Sequence, residues 1–219
     1  MKILTYIPSL AADRPGVYVH PDSCWLLSNR PLFIPDFADS FIAIPAMAVK
    51  SAKLGKAVGR RFTPRYFGEY APALIILPRH EERNLRAGKP IDALSLCFDN
   101  AVVLGDWTRV ADLPDPLPSA ADTPALAMGL IPHKIEVTIS DSSDNVSEEA
   151  DSSKIIEAEI RTELFPDAFS IISATNMIKT GDVVMIPSEI SIPLNPGLNV
   201  SIRLHDSATP EPSLFTRFK

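Results

Sequence analysis

The chain has 219 residues, 46% hydrophobic and 22% charged, with a formal charge of −6, long enough for one large domain or two small ones with a real core. The acidic balance argues against general affinity for nucleic acid or an anionic membrane, because that attraction needs a net basic surface. Twenty-one prolines against nine glycines suit a β-rich protein, where proline falls at strand ends and in loops.

From the N-terminus, "MKILTYI" reads as a short strand. The stretch "MKILTYIPSLAADRPG" carries no secretory pattern, and no run approaches the ~20 apolar residues of a membrane span; the expectation is a cytoplasmic protein. "GVYVHPDSCWLLSNRPLFIPD" alternates at Val17 and Val19, then places the turn formers "SNRP" between two apolar runs: strand, turn, strand. "FIAIPAMAV" (41–49) is another strand, and Pro45 predicts an edge, a bulge or a break there. In "FTPRYFGEYA", Thr63 and Pro64 offer a capped start for a short helix. "ALIILP" (73–78) is a buried strand and "HEERNLRAGKP" a charged surface connection.

"SLCFDNAVVLGDWTRV" carries two strand-like runs around "DN". Cys24 and Cys97 are too few and too isolated for a disulfide framework, and their bulky apolar neighbours predict buried, reduced thiols. "LPDPLPSAADTPALAMG" reads as a proline-rich surface loop. "HKIEVTIS" alternates as a half-exposed strand does, and "IIEAEIR" returns after the polar acidic segment 141–154. Together they predict a hairpin with a mobile acidic tip. "LFPDAFSIISAT" is the clearest helix, with Phe165, Phe169 and Ile172 at helical spacing. "KTGDVVMIP" and "LNPGLNVSIRLHD" are strands introduced by glycine turns. No repeat or boundary divides residues 1–219, so a single domain is expected.

Chemistry-bearing motifs are sparse. There is no phosphate-binding glycine loop, no G-x-S-x-G elbow, and His20, His80, His133 and His205 lack zinc-site spacing. Glu157 and Glu159 alternate on one strand and could face a cation, but the outward face of an amphipathic strand explains them more simply. Lys50, Lys53, Lys56, Arg60 and Arg61 fall within twelve positions. They could line an anion site for a small acidic ligand, or serve as a nucleic-acid module. With no interleaved aromatics, a solvated surface is the favoured reading.

The order of these segments resembles the fumarylacetoacetate hydrolase family in its shorter form, which includes acylpyruvate hydrolases and hydroxyheptadienedioate isomerases and decarboxylases. The likeness is carried by "VYVHPDSCWLLSNRPLFIPD", by "KLGKAVGRRFTPRYFGEYAPALIIL", by "FDNAVVLGDWTRVADL", and by "FPDAFSIISATNMIKTGDVVMIP" with "LNPGLNVSIRL". It spans most of the chain and is weakest over 1–16 and 119–160. It implies an α+β, predominantly β fold: a mixed β-roll or sandwich with a few short helices, commonly found as a homodimer. Relatives hold Mg²⁺ or Ca²⁺ with carboxylates from adjacent strands, and the cation polarises a keto-acid substrate while a lysine stabilises developing charge.

Carried over by position, the resemblance puts the family's Glu-x-Glu pair on Ile42 and Ile44, its third carboxylate near Ile75 and its lysine on Leu96. Its Thr-Gly-Thr-Pro loop falls on "IPSE" (186–189), and its N-terminal His and Glu have no counterpart in "IPSLAADRPG". Arg79, followed by His80, and Asp99 are the remnants. Arg79 could face a ligand or pair with Glu81 or Glu82 on the surface; Asp99 before Asn100 fits a turn. Converging carboxylates without a cation repel and are costly to desolvate, so replacing all of them together would let the cleft close as core. The expectation is a pseudoenzyme with no catalytic residues, no metal and no cofactor. The rival is an active hydrolase, isomerase or decarboxylase rebuilt around Arg79, His80, Glu81 and Asp99.

Overall fold

The computed structural model describes residues 1–8, 15–141, 153–205 and 213–219. Strands β1 (Ile3–Ile7), β2 (Gly16–His20), β3 (Trp25–Leu27), β4 (Pro31–Leu32), β5 (Phe41–Ser51) and β6 (Phe67–Pro78) are followed by the short helix α1 (Glu82–Arg86). Then come β7 (Val102–Leu104), β8 (Thr108–Arg109), α2 (Thr123–Leu130), β9 (Lys134–Asp141), β10 (Lys154–Glu159) and α3 (Phe165–Thr175). The described chain closes with β11 (Val183–Pro187), β12 (Ile192–Pro193), β13 (Leu198–Leu204) and β14 (Leu214–Phe218). One sheet runs β2-β1-β11-β5-β6-β7-β3, with β12 on β5 and β8 on β6; the other runs β10-β9-β13-β14-β4. The fold is therefore α+β and mostly β, its larger sheet curled into a half-barrel. No helix among the described residues is long and apolar enough to cross a membrane.

The long pair β5–β6 forms the spine, in continuous antiparallel register from Phe41 opposite Pro78 to Lys50 opposite Glu69. Its side chains alternate between two cores, as a period of two requires. Phe41, Ala43, Met47, Val49, Leu74 and Ile76 face the second sheet and α3. Ile42, Ile44, Ala46, Ala48, Ala73, Ile75 and Leu77 face the other side, inside the curl of their own sheet. On the first side the α3 aromatics meet β6 edge to face, Phe67 lying 5.1 Å from Phe169 and 6.1 Å from Phe165. Such pairs add about 0.5–1.5 kcal/mol beyond area burial.

Pro45 sits in the middle of this sheet, not at an edge or break. Its carbonyl accepts from Ser188 N at 2.8 Å, so its nitrogen faces the same side. There β11 ends opposite Ala46 and β12 begins opposite Ala43. The missing N–H therefore falls in a gap of the ladder and leaves no partner unsatisfied. Pro72 repeats the device: its carbonyl accepts from Gly105 N at 2.9 Å, in the gap between β7 and β8.

Other expectations also shift. The segment starting at Thr63 is a 3₁₀ helix over Arg60–Tyr66. Because it begins earlier, Thr63 lies inside it and donates to the Arg60 carbonyl instead of capping. Strand β6 extends back to Phe67, past Gly68 and Pro72. The proline-rich loop contains α2, with proline in its first turn, a position where the absent N–H is harmless; the charged connection holds α1. The "SNRP" turn, with Asn29 at φ 66°, carries the chain from one sheet to the other, since β3 pairs with β7 and β4 with β14. Cys24 is buried, but Cys97 is exposed, because Ser95 and Leu96 turn inward beside it. The β9–β10 hairpin forms in antiparallel register; the acidic tip, residues 142–152, lies outside the described residues. The glycine turns hold as read, Gly181 at φ 87° and Gly197 at φ 92°.

Two buried polar groups tie the curled sheet together. Asp182, 1% exposed, accepts from Lys2 N, from Lys179 N and from Lys2 Nζ, each at 2.8 Å. Burial alone would raise its pKa, but these donors outweigh it and lower it. His20 is fully buried, its Nδ1 3.1 Å from the Leu96 carbonyl and its Nε2 2.9 Å from Thr5 Oγ1. The carbonyl can only accept, so Nδ1 carries the proton and Nε2 accepts from the threonine hydroxyl.

Burial, partly offset by the Leu96 hydrogen bond, lowers the His20 pKa from 6.5 to about 4. Between those values the unfolded chain binds a proton that the folded chain refuses, so stability is lost as the pH drops through this window, by about 3 kcal/mol in all. Urea denaturation from pH 7 to pH 4 should show that loss, and His20→Gln should flatten the slope within the window. An unchanged slope in the variant would remove His20 as its source.

Candidate functional site

The inner face of the β5–β6 spine carries Ile42, Ile44 and Ile75, the positions on which the resemblance puts the family's carboxylates. Ile44 lies directly opposite Ile75, and Ile42 opposite Leu77. Their side chains point the same way because each strand contributes alternate residues. Ile42, Ile44 and Ile75 are 0–1% exposed and share one cluster with Ala46, Ala73, Leu85 and Leu96. Leu96 arrives on the loop whose carbonyl His20 holds. The cluster members are apolar, and buried His20 adjoins them through the Leu96 carbonyl.

At the end of this face, beside Ile44, a cavity of about 130 Å³ remains. Ile7, Ile44, Leu85, Leu164 and Ile186 form its apolar walls, and Arg86, Arg161, Ser188 and Glu189 supply the polar groups. Arg86 comes from α1, where its Nε donates to Glu82 Oε1 at 3.1 Å, one helical turn back. Its Nη1 donates to the Ser188 carbonyl at 3.1 Å and lies 3.6 Å from Glu189 Oε2. The segment after β11 is thereby clamped to α1. Two polar atoms here are buried without a partner: Arg86 Nη2 and Ser188 Oγ.

The remnant residues are not drawn into this cavity. Arg79 and His80 are exposed in a 3₁₀ turn after β6. Asp99 is exposed in the turn that closes with Ala101 N donating to the Phe98 carbonyl, beside Asn100 at φ 67°; this is the turn role read from the sequence. Glu81 is buried but engaged, accepting from Asn84 Nδ2 at 2.8 Å and from Asp92 N at 3.2 Å. Glu82, one candidate partner for Arg79, pairs with Arg86. Glu157 and Glu159 are exposed on β10 around buried Ala158, the outward face of an amphipathic strand. Among the described residues no group of three or more His, Cys, Asp or Glu could hold a metal ion.

The basic segment divides into separate structural pairings. Lys50 bonds Glu69 at 2.7 Å and lies 3.9 Å from the Trp107 ring centre. Arg60 pairs with Asp167 at 2.6 Å, and Arg61 donates to the carbonyls of Leu117 and Pro118. Lys53 and Lys56 are exposed. Sequence reasoning missed Arg86 and Arg161. The Glu82–Arg86 spacing of four residues is the helical signal that could have found Arg86; nothing local marks Arg161.

No family model and no curated protein matches the chain. Solved structures do. A fumarylacetoacetate hydrolase family protein from Yersinia pestis CO92 superposes with a TM-score of 0.70 at 16% identity, over 100% of this chain and 92% of that one. The 5-carboxymethyl-2-hydroxymuconate delta-isomerase from Mycobacterium smegmatis gives 0.65 at 16% identity, over 99% and 76%. The 2-hydroxyhepta-2,4-diene-1,7-dioate isomerase from Mycobacterium marinum gives 0.66 at 15%, over 99% and 73%. The chain thus has a fumarylacetoacetate hydrolase-like fold.

Introducing a single acid into the inner face would bury a carboxylate among apolar side chains with no counter-charge. Ile75→Asp should lower stability by at least about 3 kcal/mol and Ile75→Val by about 1 kcal/mol, both measured by urea denaturation at pH 7. An Ile75→Asp protein as stable as the parent would mean that this face is open to water.

Proposed function

We propose that this chain is a catalytically inactive member of the fumarylacetoacetate hydrolase family that has lost its divalent-metal site. It acts in the cytoplasm as a binding or structural homodimer. One observation supports this reading: Ile42, Ile44, Ile75 and Leu96 stand in one buried apolar cluster, at the positions where the resemblance puts three carboxylates and a lysine. A hard cation requires several oxygen ligands, and these side chains supply none. Without the cation nothing polarises a keto-acid carbonyl or fixes its enolate, so the chemistry of the named isomerases has no counterpart on this face. The homodimer follows from the resemblance, since relatives commonly pair.

The proposal is tested on full-length protein purified without chelator. Elemental analysis should find Mg²⁺, Ca²⁺ and Mn²⁺ far below one per chain. No acylpyruvate hydrolase or oxaloacetate decarboxylase turnover should appear across a panel of those ions. Analytical ultracentrifugation should give twice the mass of the 23.9 kDa chain. Stoichiometric metal or metal-dependent turnover would overturn the reading in favour of a rebuilt active site, and a monomeric mass would remove the dimer.

A further inference from the structure

A separate group of cations lies on the smaller sheet, on its solvent side. Along β14, Phe215, Arg217 and Lys219 alternate with the buried Leu214, Thr216 and Phe218, so the two cations share the outer face. Strand β4 sets Pro31 directly opposite Arg217. Two bonds fix the chain just before it: Asn29 N donates to the Phe215 carbonyl at 2.7 Å, and Thr216 Oγ1 donates to the Arg30 carbonyl at 3.0 Å. Arg30 is thereby brought beside the β14 pair. Asn29, Arg30, Pro31, Phe215, Arg217 and Lys219 line one open depression of about 260 Å³.

Three cations line this depression and no acidic side chain does. All three are exposed, and among the described residues none of them pairs with a carboxylate. Arg217 Nε donates to the neutral Asn199 Oδ1 at 3.1 Å, and Lys219 Nζ lies 5.9 Å from the Phe33 ring centre. The main-chain oxygen of Lys219 accepts from Ile34 N at 2.9 Å. By contrast Lys2, Lys50, Arg60, Arg86, Arg161 and Arg203 each have an acid within 3.4 Å. Acids outnumber Lys and Arg by 27 to 21 in the whole chain, so this surface reverses the overall charge. Like charges side by side on a sheet face repel, and an anion among them relieves that repulsion.

We infer that this depression binds the phosphate group of a small phosphomonoester. Guanidinium forks match oxyanions in two-point contacts. A phosphoryl group brings a charge of about −1.5 to −2 at pH 7 and three acceptor oxygens, which suits three cations better than the single charge of a carboxylate. The half-buried Phe215 offers the organic part an apolar surface. A volume of about 260 Å³ falls just under the ~300 Å³ at the lower end of small-molecule sites, so the ligand is small. Because the cations are exposed, binding is sensitive to salt. The site stands on the other sheet from the inner face of β5–β6; it goes beyond the proposed function and does not depend on it.

The test follows the backbone-amide NMR signals of the full-length protein as inorganic phosphate, phenyl phosphate or acetate is added at constant ionic strength. Both phosphates should saturably shift the amides of Asn29, Arg30, Arg217 and Lys219, and acetate should bind at least about tenfold more weakly. Raising NaCl from about 20 to about 200 mM should weaken phosphate binding severalfold. Arg30→Gln and Arg217→Gln should each weaken it about fivefold or more, as loss of one charge-assisted hydrogen bond does. Arg217→Gln also removes the bond to Asn199, so Arg30→Gln is the cleaner check, and its urea midpoint should match the parent's. Acetate binding as tightly as phosphate, unchanged binding in both variants, or no saturable shift would overturn the inference. So would a single-stranded oligonucleotide that binds while neither phosphate does, because the surface would then serve a nucleic acid. Each of these outcomes leaves the metal-free reading intact, and finding a bound metal would leave this inference intact.

Discussion

The antiparallel pairing of β5 with β6 is the constraint on which the rest of the molecule depends. Ten consecutive residue pairs keep register without interruption from Phe41 to Lys50, and both faces of the resulting ribbon are buried. A ribbon buried on two sides must be apolar at nearly every position, because each position faces one core or the other. That single demand accounts for "FIAIPAMAV" and "ALIILP", and for small residues where neighbours approach closely. It also accounts for the two internal prolines. A ribbon flanked on each side by split partners, β11 with β12 and β7 with β8, has gaps where an N–H is not required. Pro45 and Pro72 occupy those gaps.

Once the spine is apolar on both faces, polar function must move to its ends. Three polar side chains fasten the elements around it. Asp182 fastens the turn before β11 to the start of β1 through two backbone amides and the Lys2 ammonium. His20 fastens β2 to β1 and to the Leu96 loop. Arg86 fastens α1 to the segment leaving β11. In each case a charged or polar side chain satisfies backbone groups that strand pairing leaves open, a role that needs the side chain buried and fixed.

Much of this was legible in the chain. The alternation of β9, the helical spacing of Phe165, Phe169 and Ile172, and the two glycine turns each follow from a local rule that a few residues suffice to express. The segment order carried the fold even though solved neighbours share only 13–18% identity. The misses have a common physical origin. Pro45 announces a missing N–H, but whether that is tolerable depends on where two other strands end, some 140 residues later. The exposure of Cys97 turns on which of three adjacent loop residues faces inward. α2 lay in a segment dominated by prolines, although one of them sits where a helix welcomes it. The cavity joins Arg86, Arg161 and Ser188, which no sequence window contains together. Local chemistry is written locally; a site assembled from distant segments is not.

The apolar inner face also has a cooperative character that bears on how such a site could be lost. Three oxygen ligands and a cation stabilise one another, while any one of those carboxylates alone among hydrocarbon is strongly unfavourable. Intermediate states, with one or two acids and no ion, are less stable than either end. On the proposed reading, the opposed pair Ile44–Ile75 sits at the other end of that scale, where both partners contribute packing and neither needs the other to be charged. Restoring a single acid would therefore oppose folding rather than rebuild a fraction of a metal site. The same reasoning explains why charge persists at Arg86: its guanidinium is tied to Glu82 and to a backbone carbonyl, so removing it would strand groups on both sides.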